Sequence, residues 1–228
     1  MGLFVKDEIP IIKYTMSLQN AFLGSLVADS ISMPVHWYYN RQSLDADYGD
    51  FQTYCKPKAH HPDSILWRSS YSPLNSKADI LGRQAKYWGQ KGVHYHQFLE
   101  SGDNTLNLQL ASELYRDSII NGGFDPETWL KRYAHVMLTP DWHLDTYAEE
   151  YHRAFFTNYA KGKPLQSCGI PDYHIGGLSY IPALLAAMEA IDQIEPSEQL
   201  ANVLSLVSLT HNHENTLRSA TDLTRILH

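Results

Sequence analysis

The sequence predicts a single all-α domain over residues 1–228. Three observations lead there. Seven stretches repeat apolar residues at helical spacing, the junctions between them carry helix starts and stops, and no turn dipeptide sits between alternating strand patterns.

The elements follow in order. From Ile11 to Ser32, the residues Ile12, Met16, Phe22, Leu23, Leu26 and Val27 recur at helical spacing beside the small Gly24, Ser25 and Ala28. This helix is expected to pack closely on a neighbour and to end near Met33-Pro34. A tyrosine- and proline-rich stretch with little periodicity then runs to about residue 95, and such long irregular segments are commonly functional, disordered or wrapped over the surface. Its tyrosines and tryptophans between Tyr38 and Lys91 are expected to form a lid or to cover the helices. Leu106, Leu110 and Leu114, with Ala111, Tyr115 and Ile119, mark the next helix, stopped by Asn121-Gly122-Gly123. Asp125-Pro126 supplies an N-cap and a proline first position for a helix through about Leu138. Further helices are expected over Leu144–Ala160, over Gly177–Ile194, from Pro196-Ser197 to about His213, and over residues 214–228.

With 43% hydrophobic and 19% charged residues, the chain has the composition of a folded globular domain. At this length roughly 70% of the unfolded surface can be buried, so the core needs no disulfide or structural zinc. Cys55 and Cys168 lie far apart without a CxxC spacing, which points to a reducing compartment. No apolar run approaches the roughly 18 residues of a membrane span, and MGLFVKDEIP lacks the charged start and long apolar middle of a signal peptide. A cytoplasmic location without a membrane partner is therefore expected. The net charge of −7 and the lack of a Lys/Arg-rich run leave nucleic acid without an electrostatic footprint. An anionic ligand would need a divalent cation, backbone N–H groups or a few placed arginines.

Four places carry chemistry. Ser101-Gly102-Asp103-Asn104-Thr105 precedes the best-defined helix, where Asp103 or Ser101 reads most simply as a cap, and where Asp103 and Asn104 could instead offer oxygens to a hard cation such as Mg²⁺. Asp145, Glu149 and His152 fall on one face of the expected 144–160 helix, a set read here as an ordinary solvated charged face. Asp172 to Gly177 places paired glycines before a helix, a spacing that lets backbone N–H groups approach a phosphate. Asp29 lies in an otherwise apolar helix and needs a partner or a site to be tolerated. The pairs His94/His96 and His211/His213 have no carboxylate or cysteine at a zinc-like interval, so zinc is not expected.

In their order along the chain these segments resemble the ADP-ribosylglycohydrolase family, which includes the dinitrogenase reductase-activating glycohydrolases and the J-type crystallins. Leu26 to Val35, LVADSISMPV, is similar to the family's G-D-A-L-G-x-P stretch. Gly102-Asp103-Asn104-Thr105 stands where a T-D-D-T motif opens a long helix, His174 to Pro182 loosely matches a G-N-G-x-x-x-R-x-x-P stretch, and Thr210-His211 matches a helix-ending T-H. The resemblance implies an orthogonal all-α bundle that uses two Mg²⁺ ions, or Mn²⁺ in their place, to hold ADP-ribose while water cleaves a glycosidic bond. It implies Asp103 as catalytic residue and metal ligand, Asn104 as a second ligand, and Asp29, Gly176, Gly177 and His211 as lining of the substrate cleft. Its implied partners are an ADP-ribose-like small molecule or an ADP-ribosylated protein. Gly102 and Asn104 depart from the motif's first threonine and second aspartate, and Ser179-Tyr180 stand where an arginine is expected. A second metal motif of the D-x-D-T kind is not found in residues 214–228, so an incomplete binuclear site and missing C-terminal helices are expected. The rival implied by the same resemblance is a catalytically silent nucleotide-binding or crystallin-like structural relative.

Overall fold

Helix α6 (Ile181–Ala190) is the centre on which the other helices pack. Ile181, Ala183, Leu184, Leu185, Ala186, Ala187 and Met188 all have no exposed surface, because the segment is apolar on every side and alanines let its neighbours approach. The computed structural model describes residues 17–193 and 195–227. Among these there are eight α-helices and no strand, apart from single bridges pairing His60 with Val93 and Ile170 with His211.

Helices α1 (Leu18–Ser32) and α3 (Leu106–Ile120) flank α6. Ser17 caps α1 by accepting from Asn20 N at 3.3 Å. Glu189 at the far end of α6 takes the next free amides, Leu18 N at 3.2 Å and Gln19 N at 3.0 Å. Leu18 and Phe22 enter the core, whereas Leu23 and Val27, expected in the packed face, are exposed. The expected first turns, Ile11 to Met16, lie outside the described residues.

Helix α4 (Pro126–Leu138) starts where its cap requires, with Asp125 Oδ2 accepting from Thr128 N at 2.7 Å. It is tied to α3 by Arg132, whose Nη2 and Nε reach Glu113 Oε2 at 2.5 and 3.1 Å. Helix α5 is shorter than expected, Glu150–Ala160, so Asp145 and Glu149 stand in the loop before it rather than on a helical face. Helix α7 (Pro196–Ser208) also stops early, which puts Thr210 to His213 in a loop, and α8 (Glu214–Leu227) packs on it. The expected 177–194 helix is a 3₁₀ turn over Ile175–Leu178 followed by α6, with Ile194 outside the described residues.

The irregular stretch contains one short helix, α2 (Arg41–Asp47), capped by Asn40. The rest is loop and 3₁₀ turn that buries Leu66, Ala78, Ile80, Leu81 and Trp88. Trp88 Nε1 donates to Thr146 O at 2.7 Å, and Tyr95 OH accepts from Ile65 N at 2.9 Å. The stretch therefore covers the helices, and its inner surface forms one wall of the cavities described next.

Candidate functional site

The N-terminus of α3 is the point where distant segments meet. Its free amides are not capped by Asp103 or Ser101, because Thr105 occupies the cap position and makes no capping bond of its own. Two carboxylates from elsewhere supply the acceptors. Asp29 of α1 takes Thr105 N at 2.7 Å and Thr105 Oγ1 at 2.8 Å, and Asp145 takes Leu106 N at 2.5 Å. A helix N-terminus concentrates N–H groups and positive potential, which favours such anions. Burial nevertheless raises Asp29 above the ordinary carboxyl range, against the pull of those hydrogen bonds.

Two adjoining cavities open beside this helix end. The larger, of about 530 Å³, runs between Trp37, Tyr39, Ile65 and Tyr95 on one side and Tyr151, Pro171, Asp172 and His174 on the other. The smaller, of about 160 Å³, reaches inward to Asp29, His36, His96, Asn107, Asp145 and His152. Trp37, Tyr147 and Glu149 line both. Trp37 holds φ 58°, a conformation that a bulky side chain rarely adopts, while its ring stacks on His96 at 5.6 Å and meets Tyr95 edge-on at 4.4 Å.

Glu149 is the acid at the junction. Its Oε2 accepts from Asn107 Nδ2 at 2.9 Å, and its Oε1 stands 3.7 Å from His174 Nδ1, beyond hydrogen-bond range. Asn107 cannot turn away, because its Oδ1 already receives Tyr151 OH at 2.7 Å and His152 Nε2 at 3.0 Å. His152 in turn accepts from Tyr133 OH through Nδ1 at 2.6 Å, and burial holds it well below the usual histidine range, hence neutral. Burial raises Glu149 above the usual carboxyl range, with Asn107 and then His174 pulling it back.

The paired glycines act through closeness. A Cβ on Gly176 would lie 2.5 Å from Glu149 Oε2, and one on Gly177 would lie 2.6 Å from His211 Nδ1. His211 is fully buried beyond the end of α7, with Nδ1 on Thr210 Oγ1 at 2.8 Å and its ring 4.2 Å from that of Tyr151. Asp29, Gly176, Gly177 and His211 thus surround this region. Asp103 does not join them: it is exposed, and its Oδ2 accepts from Glu100 N at 2.7 Å within its own turn.

The donor set does not fit a binuclear magnesium centre. Asn104 turns its amide nitrogen into α1, toward Leu26 O at 2.8 Å, Ser30 Oγ at 2.9 Å and Asp29 Oδ2 at 3.0 Å. Asp29 is already filled by N–H and O–H donors, and among the described residues no three Asp, Glu, His or Cys side chains gather as a metal-binding group.

Asp145, Glu149 and His152 are the residues the sequence reading discounted. They do not form a solvated face: Asp145 and His152 are fully buried and the Glu149 side chain is 19% exposed. Their D-x-x-x-E-x-x-H spacing was visible, but no local signal placed Asn107, His36 or His96 beside them. No helix among the described residues is long and apolar enough to cross a membrane. No curated protein and no solved structure matches the chain. The ADP-ribosylglycohydrolase family model matches residues 13–228, nearly the whole sequence, and the chain belongs to the ADP-ribosylglycohydrolase family.

Proposed function

We propose that this chain hydrolyses an N- or O-glycosidic bond to ADP-ribose or a related nucleotide sugar, with Glu149 donating the proton that the leaving group takes up. The observation that carries this reading is the position of Glu149. It lies at the junction of the two cavities, holds its proton because it is buried, and is fixed by Asn107, which Tyr151 and His152 hold in one orientation. A carboxylic acid kept protonated toward neutral pH is what a departing oxygen or nitrogen needs. The aromatic walls from Trp37, Tyr95, Tyr147 and Tyr151 suit a sugar or a base ring. The larger cavity is lined by Glu149, Glu150 and Asp172 with no lysine or arginine among its described residues, so a diphosphate is assigned to the open side. Because Asp103 and Asn104 do not form a metal cradle, no step is routed through magnesium.

The test is release of free ADP-ribose from peptides carrying ADP-ribose on arginine or on serine. Release by the wild type, reduced roughly 100-fold or more in Glu149→Gln, is expected, since that is the scale of general acid catalysis. No release from either peptide overturns the proposal. Binding of ADP-ribose without turnover then selects the silent nucleotide-binding relative, a reading favoured by the poor metal fit.

A further inference from the structure

Four side chains join end to end behind the smaller cavity. Asp145 Oδ1 and His96 Nδ1 are 2.5 Å apart, His96 Nε2 and His36 Nδ1 are 3.0 Å apart, and His36 Nε2 and Ser32 Oγ are 3.2 Å apart. Asp145 and His96 are buried, whereas His36 and Ser32 are partly open. The surroundings pin the chain: His61 Nε2 bonds His36 O at 2.8 Å, and His94 Nδ1 accepts from His96 N at 3.0 Å.

The direction of each bond follows from its ends. With Asp145 ionised, His96 Nδ1–H donates to it. His96 Nε2 then accepts from His36 Nδ1–H, and His36 Nε2 accepts from the Ser32 hydroxyl. One added proton gives a second complete arrangement. A water proton passes to Ser32 Oγ as the Ser32 proton passes to His36 Nε2, and the His36 Nδ1 proton crosses to His96 Nε2. His96 becomes an imidazolium against the Asp145 carboxylate. Ser32 then turns its hydroxyl to Asp29 O, 3.3 Å away, and accepts from His36 Nε2–H. Every donor has an acceptor in both arrangements, and the two differ by one proton.

We infer that Ser32, His36, His96 and Asp145 form a one-proton relay that is the base of this site, taking the proton lost by the attacking water at Ser32 and holding it on His96. The inference rests on the hydrolase reading. Glu149 faces the same small cavity as His36, His96 and Asp145, so donor and acceptor of the two proton transfers share one space. As Glu149 gives a proton to the leaving group the relay gains one from water, and solvent carries it back to Glu149. Burial, then neighbouring His96, lowers His36 to about 4, so it is uncharged and ready to accept at neutral pH. Two groups whose surroundings push them in opposite directions, Glu149 up and His36 down, are what an acid and base pair requires.

Nitrogen NMR of the histidines in the intact chain tests the wiring without substrate. At mildly alkaline pH both His36 and His96 are expected as Nδ1–H with a bare Nε2. On acidification the first proton taken by the pair is expected to give doubly protonated His96 while His36 changes to Nε2–H. Independent titration of the two rings, or His36 already in the Nε2–H form, overturns the relay. Kinetics on the ADP-ribosyl peptides test its use. Ser32→Ala, which removes one partly exposed hydroxyl, is expected to lower kcat roughly 100-fold with KM little changed and to alter the acid limb of the pH–rate profile. A folded Ser32→Ala with wild-type kcat and profile overturns the base role. A wild type without ADP-ribose release overturns the hydrolase reading and the base role together, while the NMR result still decides whether the relay exists.

Discussion

Asp145 Oδ2 accepts the Leu106 amide at 2.5 Å, so a carboxylate 39 positions further along the chain closes the N-terminus of α3. The neighbouring Asp103, adjacent in sequence to that helix start, holds only the Glu100 amide in an exposed turn. Replacing Asp145 by alanine leaves His96 Nδ1 and Leu106 N without their buried partner. Asp145→Ala is expected to lose about 3 to 5 kcal/mol of stability and Asp103→Ala about 1 kcal/mol or less, read from urea unfolding midpoints. Equal losses would contradict this assignment of the cap.

Gly176→Ala and Gly177→Ala should separate two faces of the site. The new methyl would meet Glu149 Oε2 in the first and the His211 ring in the second. Each is expected to destabilise by about 1 to 3 kcal/mol, the usual cost of overpacking. Gly176→Ala is also expected to reduce ADP-ribose release more than Gly177→Ala, because it displaces Glu149 directly. The reverse order in a peptide assay would move the chemistry toward His211.

Acid should weaken the fold through its buried histidines. His36 is lowered to about 4 and His94 to about 3, both from an ordinary value near 6.5 and both first through burial. The unfolded chain therefore takes protons first, so stability is full above about pH 6.5 and declines as pH falls toward 4 and then 3. Each of these histidines contributes a slope of up to about 1.4 kcal/mol per pH unit in its window. Urea melts across this range should show the decline, and His94→Gln should flatten it. A curve of unchanged slope in that variant would remove His94 from the account.

Glu149 carries the opposite sign. Its carboxyl is raised by burial, so its stabilising contribution is full at low pH, below the ordinary carboxyl value, and is lost as pH rises through the raised one. Glu149→Gln keeps an oxygen for Asn107 Nδ2 and removes the charge. That variant is expected to melt higher than the wild type at pH 7 while losing catalysis, the trade expected of a site residue. A lower melting temperature would show that the ionised carboxylate is stabilising.

Magnesium titrated calorimetrically into this chain is expected to show no saturable binding, and Asp103→Ala no change. The reason is the donor set, with Asn104 directed into α1 and Asp103 closed on Glu100. A saturable isotherm that Asp103→Ala abolishes would restore the metal site implied by the resemblance.

The helices were legible in the sequence because their signals are local. Asp125-Pro126 marks a start that Thr128 N confirms three residues later, and Leu106, Leu110 and Leu114 recur within turns of one another. The same locality explains the misreadings. Asp145, Glu149 and His152 have helical spacing, and charge runs on helices are usually solvated, yet α5 begins only at Glu150 and the irregular stretch roofs them over. Periodicity reports which face of a segment is apolar, and says nothing of which loop will lie against its polar residues. The sequence alone thus determined an all-α chain, its main helices and its family likeness. Only the tertiary structure decided that Asp29 and Asp145 would converge on one helix end and that His36 would meet His96. Those contacts join residues 76, 39 and 60 positions apart, and they exist because α6 and the loops around it pack, a condition no short window of sequence contains.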